Sequence, residues 1–376
     1  MTPKVARYLA SHQPATPCLV LDVDRVEENY RALAAALPLA RIYYAVKANP
    51  ARPILERLVA LDSHFDAASI EEVRACLAAG ARAAAISFGN TIKKASAIRE
   101  AHAAGVRLFA FDSLEELEKL ARHAPGAAVY CRILVDNFGA DWPLARKFGT
   151  TVEHARTLML RAPELGLDPI GLSFHVGSQQ TTTEAYEAAI AKVGMLFTDL
   201  KAAGVDVRMV NLGGGYPIRY RDDVPGIDRF ADAIMRAMVA HFGNALPDMI
   251  VEPGRFIVGD AGVVSSEVVL VCQRAPENPV RWVYLDIGRF GGLAETEGEA
   301  IRYAFATPHD GGPTGPVAIA GPTCDGVDIM YEKSDYRLPL ALASGDRVEI
   351  LATGAYVTTY ASQGFNGFAP LAEHYV

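Results

Sequence analysis

The sequence predicts an α/β protein: a closed (β/α)8 TIM-like barrel joined to a second, mostly β domain. Three observations carry this. Eight short apolar runs recur from Ile42 onward, and each of the first seven is followed by a stretch with helical periodicity. After Arg255 the alternation stops, and strand-like runs follow one another with Gly and Pro between them. The 376-residue length suits two domains, and 51% hydrophobic residues with a mean hydropathy of +0.13 can fill their cores.

In chain order, Pro17–Asp22 reads as a first short strand and Val26–Leu37 as an alanine-rich helix. Ile42–Val46 is the first barrel strand, with Lys47 at its end and Asn49-Pro50 breaking the backbone. His64–Ser69 is the second strand, and its helix Ile70–Ala79 is stopped by Gly80. Ala84–Phe88 and the helix Ile92–Ala104 come next. Leu108–Asp112 then leads into Leu114–Ala121, which Ser113 caps through Ser-x-x-Glu. Val129–Val135, Gly171–Val176, Met209–Leu212 and Met249–Glu252 complete the eight, with helices at Thr183–Ala203 and Phe230–Phe242. An open doubly wound sheet would not need so many consecutive units. The second domain holds Val263–Cys272, Val280–Asp286, Val317–Gly321 and Arg347–Leu351, and the strand near Leu19 is a candidate to join it. The expected division is 24–258 for the barrel and 1–23 plus 259–376 for the β domain.

Composition excludes several classes. Lys+Arg 36 against Asp+Glu 44 gives −8, which disfavours nucleic acid and anionic membranes as partners. Five cysteines without C-x-x-C spacing point to a reduced chain rather than a disulfide framework. No run suits a membrane span or a signal peptide, so the expected location is the cytoplasm. The histidines show no metal-ligand spacing, so no metal is expected.

Taken alone, Lys47 is better explained as a lysine snorkelling to the rim than as a reactive amine. The other strand ends reverse that. In a barrel of this type the chemistry sits at the C-terminal ends of the strands. Lys47, Asp66, Arg132, His175, Gly213–Gly215 and Glu252–Arg255 all fall in or beside those ends. The loops after strands seven and eight commonly bind phosphate. Here they carry Gly213-Gly214-Gly215, whose backbone N–H groups can approach an anion, and Arg255, a charged fork. Ser178 adds a hydroxyl. A phosphate site beside a strand-end lysine suggests pyridoxal 5′-phosphate (PLP), with Lys47 holding its aldehyde, Glu252 facing the ring nitrogen and His175 flat against the ring.

Tyr44–Asn49, Phe174–Ser178, Gly213–Gly215, Glu252–Arg255, Gly321–Gly326 and Gly354–Tyr356 together resemble the signatures of the barrel-type (fold type III) PLP-dependent amino-acid decarboxylases, most closely the ornithine decarboxylases. These motifs run in order from Tyr43 to Tyr356. The resemblance implies a barrel plus a β domain, as in alanine racemase. It implies that Lys47 is the Schiff-base lysine, that Glu252 pairs with the pyridine nitrogen and that His175 stacks on the ring. Ser178, Gly214, Gly215, Gly254, Arg255 and Tyr356 resemble the phosphate binders, and Asp66 and Arg132 resemble partners that orient the groups around the ring. Cys324 resembles the cysteine that returns a proton after CO2 leaves. Asp325 resembles the acid that holds the substrate's distal amine. In that family the last two reach into the partner's site, so a homodimer is implied.

Acidic groups at the far end of the substrate would select a terminal ammonium. Asp325 is one candidate and Glu299 a second, since Phe290–Glu299 resembles the substrate-recognition turn of ornithine decarboxylases. The expected reaction is L-ornithine to putrescine and CO2, in polyamine biosynthesis, with L-lysine to cadaverine beside it. Arg302 argues for the alternative, meso-diaminopimelate, because relatives acting on it carry an arginine near this position for the distal carboxylate. Their Asn-Asp-Leu-x-Arg-Pro and Cys-Glu patterns are replaced here by Glu299–Tyr303 and Cys324-Asp325. A PLP-binding regulatory homologue without activity would be expected to lose Lys47 or Cys324, and both are present. An alanine racemase would follow its lysine with Tyr-Gly-His-Gly, which Ala48–Ala51 does not match.

Overall fold

A computed structural model describes residues 1–142 and 147–376. It divides into two compact units, Glu27–Pro217 with Val224–Phe256, and Met1–Val26 with Ile218–Asp223 and Ile257–Val376.

The first unit is a closed barrel of eight parallel strands. They are Ala40–Ala45, His64–Ala67, Ile86–Phe88, Leu108–Phe111, Ala128–Arg132, Asp168–Ser173, Met209–Asn211 and Asp248–Val251. The eighth closes on the first, with Met249 opposite Ala40 and Val251 opposite Ile42. The helices Arg52–Ala60, Ile70–Ala78, Ala95–Ala103, Leu114–His123, Val152–Glu164, Glu184–Ala202 and Ile227–Phe242 follow the first seven strands in turn. Tyr43, Ala110, Tyr130, Met209 and Ile250 pack as one buried cluster. Parallel strands buried on both faces explain why the runs read as continuously apolar rather than alternating.

The second unit is built on a nine-stranded sheet. Its long strand Gly262–Gln273 pairs antiparallel with Arg347–Leu351, with Arg281–Leu285 and with Cys18–Leu21, so the N-terminal strand joins this sheet as expected. Two elements had no clear signal in the sequence. The helix Pro3–His12 starts with Thr2 accepting from the Val5 N–H and with proline in its first turn. The strand Ala372–Tyr375 lies parallel to Cys18–Leu21.

The predicted helix at Ile92–Ala104 begins later, at Ala95, and the reason is Lys93. Its ammonium is buried, donating to the carbonyls of Ala110 (2.6 Å) and Asn90 (2.7 Å), and lies 3.1 Å from Glu116. Burial lowers its pKa to about 8, against the pull of Glu116. This knot ties the loop after strand three to strand four and the helix behind it. No described helix is long and apolar enough to cross a membrane, and no described cluster of His, Cys, Asp or Glu could hold a metal ion.

Replacing Lys93 by Met should destabilise the protein by about 3 kcal/mol, since Glu116 and two carbonyls lose a buried partner. The check is the urea midpoint, and a shift within error of zero would show the pair to be dispensable.

Candidate active site

The barrel's C-terminal mouth collects its charges through backbone register. Ala45 stands opposite Asp66, and Asp66 opposite Ser87. Strand one ends at Ala45, one residue earlier than expected. Lys47, half-buried, sits on the single turn Val46–Ala48 that follows. The Ala45 N–H donates to Pro253 O (2.9 Å), and the Tyr44 hydroxyl donates to Asn49 O (2.8 Å). The lysine's backbone is thus pinned by strand eight and by its own exit.

Asp66 is buried, and its carboxyl is pushed well above the usual range by burial and by the charge of Glu252, against Lys47 and Arg132. Its Oδ1 has no hydrogen-bond partner among the described residues. Gly89 makes room for it: a Cβ there would stand 1.8 Å from that oxygen. The Tyr130 hydroxyl, which shares a hydrogen bond with Ser87 (2.9 Å), borders the same space. Arg132 is the last residue of strand five, its pKa lowered by burial against the opposing charges of Glu252, Asp112 and Asp66.

His175 lies beyond the end of strand six, at Ser173, on the loop rather than in the strand. The Gly177 N–H donates to its Nδ1 at 3.0 Å, so the ring proton belongs on Nε2. Burial, with Arg132 and Lys47 nearby, drives its pKa well below the usual value, and the imidazole is neutral. Glu252 follows strand eight, and the Asn211 amide donates to its Oε1 at 2.5 Å.

The glycine triplet is forced by close approach. A Cβ on Gly213, Gly214 or Gly215 would stand 2.2 Å from Phe174 O, 2.3 Å from Glu252 O or 2.4 Å from Gly177 O, and Gly213 and Gly215 have φ of 66° and 108°. Tyr186 donates to Gly214 O (2.8 Å), and Asn211 Oδ1 accepts from the Gly213 N–H (2.9 Å). Arg255 is 3% exposed and donates to Ser178 Oγ from Nε (3.2 Å) and Nη2 (3.0 Å), with the buried Gly254 just before it.

Lys47, Asp66, Arg132, His175, Ser178, Gly214, Gly215, Glu252, Gly254 and Arg255 all belong to the barrel unit; Tyr356, Cys324, Asp325 and Glu299 belong to the other. Tyr356 is half-buried with φ of 59°, a left-handed conformation costly for an aromatic residue. Cys324 is exposed and its N–H donates to Asn366 Oδ1 (3.0 Å), while the other described cysteines are buried or half-buried. Asp325 is exposed, with Oδ1 accepting from the Val327 N–H (2.9 Å).

Glu299 is half-buried and staples a neighbouring turn. Its carboxylate accepts from the N–H groups of Glu332 (2.8 Å), Lys333 (2.7 Å) and Ser334 (2.6 Å), and also from the Ser334 hydroxyl. Four donors fill a carboxylate's acceptor positions. Burial alone would raise its pKa, yet those bonds together hold it below the usual range. Arg302 pairs with Asp222.

Sequence reasoning missed Asn211, Tyr186, Gly89 and Glu72. Glu72 accepts from the Ala68 N–H (2.7 Å), and burial raises its carboxyl. The signal for it was present: Ser69-x-x-Glu72 is a capping box at the mouth of strand two. Asn211 was a polar residue at a strand end, the criterion that picked out its neighbours.

Residues 23–259 match the family described as pyridoxal-dependent decarboxylase, pyridoxal binding domain. The chain belongs to that family. The lysine/ornithine decarboxylase of Selenomonas ruminantium is 36% identical over 370 residues, 98% of this chain and 91% of that protein. A crystal structure of the lysine/ornithine decarboxylase of Vibrio vulnificus with cadaverine superposes with a TM-score of 0.88 at 30% identity, covering 99% of this chain and 97% of that one. The arginine decarboxylase of Paramecium bursaria Chlorella virus with agmatine superposes at 0.91 and 27% identity, covering both chains fully. The chain is a fold type III amino-acid decarboxylase, and its cofactor is PLP. The barrel mouth fits that group: it has a glycine cradle that a Cβ would fill, a buried arginine, and a buried carboxyl with one unpartnered oxygen that feels the charge of Lys47.

Two outcomes follow. Gly214→Ala should weaken PLP binding about tenfold, since the added methyl must displace Glu252 at a cost of about 1–3 kcal/mol; fluorescence titration of the cofactor-free protein measures it. The ring protons of His175 should not shift by NMR between roughly pH 8 and 6, the range in which an ordinary histidine titrates. Because its folded pKa is lowered, acidification below the unfolded value of about 6.5 should reduce stability.

Proposed function

We propose that this decarboxylase acts on L-ornithine to give putrescine and CO2, with L-lysine to cadaverine as a second reaction, in cytoplasmic polyamine biosynthesis. The observation that carries the reading is the meeting of Lys47, Asp66, Arg132, His175 and Glu252 in one electrostatic cluster at the barrel mouth.

In this reading Lys47 holds the cofactor aldehyde. The backbone of Gly213–Gly215, Gly254, the Arg255 guanidinium, Ser178 and Tyr356 hold its phosphate. Bound there, PLP supplies an electron sink that lets the substrate's Cα–carboxylate bond break. Glu252, oriented by Asn211, would face the pyridine nitrogen. Neutral His175 would lie against the ring without adding a competing charge. Asp66 and Arg132 set the field around Lys47: a carboxyl of raised pKa can share a proton with the amine, and the guanidinium offsets Glu252.

Cys324 delivers the proton that replaces the carboxylate. Asp325 faces the substrate's terminal ammonium; with Glu299 spent on its turn, it carries that role. Cys324 and Asp325 act on the partner's site in a homodimer. Arg302 is already paired with Asp222, which disfavours a second carboxylate on the substrate and hence diaminopimelate. The relatives' names and bound amines, lysine/ornithine decarboxylase and cadaverine, support a basic substrate.

Lys47→Ala should abolish both decarboxylation and the visible absorption of the protein-bound cofactor, and survival of either would remove its role. In a substrate panel scored by amine product, putrescine should form fastest. Faster turnover of arginine or diaminopimelate would overturn the choice of ornithine.

A further inference from the structure

The loop that carries Cys324 is the tip of a hairpin. The strands Thr314–Ala320 and Ile329–Tyr331 run antiparallel, and residues 321–328 join them. Residues 324–327 are exposed, whereas Asp328 at the base is 2% exposed. Its carboxylate makes no ion pair among the described residues. It accepts instead from three donors: the Arg289 N–H on Oδ1 (2.8 Å), and the Thr323 N–H (3.1 Å) and hydroxyl (2.7 Å) on Oδ2. The space it fills exists only because two glycines lack side chains. A Cβ on Gly288 would stand 2.2 Å from Oδ1, and one on Gly321 would stand 2.4 Å from Oδ2.

Burying a carboxyl group costs free energy unless it is hydrogen-bonded, and these three donors answer it. What this one does is specific. It fastens Thr323, the residue before Cys324, to the backbone of Arg289. From the same residue the Arg289 side chain donates to Val327 O (2.9 Å) and approaches Glu297 (3.4 Å). Gly321 N–H donates to Asp328 O (2.8 Å), and Asp328 N–H to Asp325 O (3.1 Å), so the loop is cross-tied on both sides of the thiol. The ion pair with Glu297 is exposed and contributes little.

We propose that Asp328 is a positioning residue for Cys324: it locks the hairpin tip to the Gly288–Arg289 segment and thereby determines whether the reacting carbon receives the thiol's proton. This rests on Cys324 being the proton donor. In the productive outcome the electron pair left by CO2 takes the thiol proton, a C–H bond forms, and the product is an amine. Without a well-placed thiol the proton would go elsewhere, and with water consumed the substrate chain would leave as an aldehyde rather than an amine, its nitrogen staying with the cofactor.

The test compares the aldehyde-to-amine ratio in Asp328→Asn, Thr323→Val, Cys324→Ala and wild type, with CO2 release and KM measured alongside. The ratio is independent of how much enzyme is active, so mere destabilisation does not move it. Asp328→Asn should raise it about tenfold, the effect of losing roughly 1.4 kcal/mol of preference for the correct carbon, with KM nearly unchanged. Thr323→Val, which removes one donor, should raise it less and stands in if Asp328→Asn does not fold. In the cofactor-free protein, Asp328→Asn should speed hydrogen exchange at the Thr323 amide while the barrel strands stay protected. A wild-type ratio in the Asp328 and Thr323 variants, with a raised ratio in Cys324→Ala, overturns the proposal alone. A wild-type ratio in Cys324→Ala removes the proton-donor reading beneath it.

Discussion

A carboxyl group held out of water beside a lysine is the constraint on which the barrel mouth depends. Asp66 is pushed toward its neutral form by burial and by Glu252, and toward its charged form by Lys47 and Arg132. Burial and Glu252 prevail, and Oδ1 has no hydrogen-bond partner among the described residues. The arrangement persists because the surroundings over-determine it. Register sets Asp66 level with Ala45 and Ser87, and Gly89 removes the one Cβ that would evict it. A proton shared among groups so placed can move with little reorganisation, which is what the role proposed for Lys47 requires.

The barrel was legible because its strands are buried on both faces. Continuous apolar runs, each ended by a polar residue, mark both the strand and its chemically useful end. Thus Lys47, Arg132 and Glu252 stood out by position, although the first and eighth strands end one residue earlier than expected and the fifth ends three earlier. What stayed hidden were residues whose role depends on a partner from another element. Asn211 matters because it touches both Glu252 and Gly213. Tyr186 matters because its hydroxyl reaches Gly214 from a helix. Lys93 read as part of a helix, since nothing in the local sequence shows that Glu116 and Ala110 O lie above it.

Glu299 shows the same limit in the other unit. Its place in a segment that resembles the substrate-recognition turn of ornithine decarboxylases suggested a charge offered to a ligand. The structure turns that charge inward, onto three successive N–H groups and a hydroxyl. Composition cannot separate the two cases, because both require a carboxylate on a turn. The distinction lies in the chain at 332–334, which presents its N–H groups in a concave arc of the kind that binds anions.

That inward turn bears on specificity. A site that selects a terminal ammonium needs an uncommitted negative charge, and one that selects a carboxylate needs an uncommitted cation. Arg302 already has Asp222 beside it, and Glu299 is already engaged by its own turn. Asp325 is different: among the described residues its carboxylate accepts one bond, from the Val327 N–H to Oδ1, within an exposed loop. Both aspartates tie that loop: Asp325 accepts from the Val327 N–H near the tip, and Asp328 accepts from Arg289 and Thr323 at the base. Under the proposal that Asp325 meets a substrate ammonium, the two sets of bonds differ in consequence. A substrate that drew the exposed carboxylate away from Val327 would loosen only the tip. The base would stay closed, because none of the side-chain bonds of the buried aspartate involves Asp325.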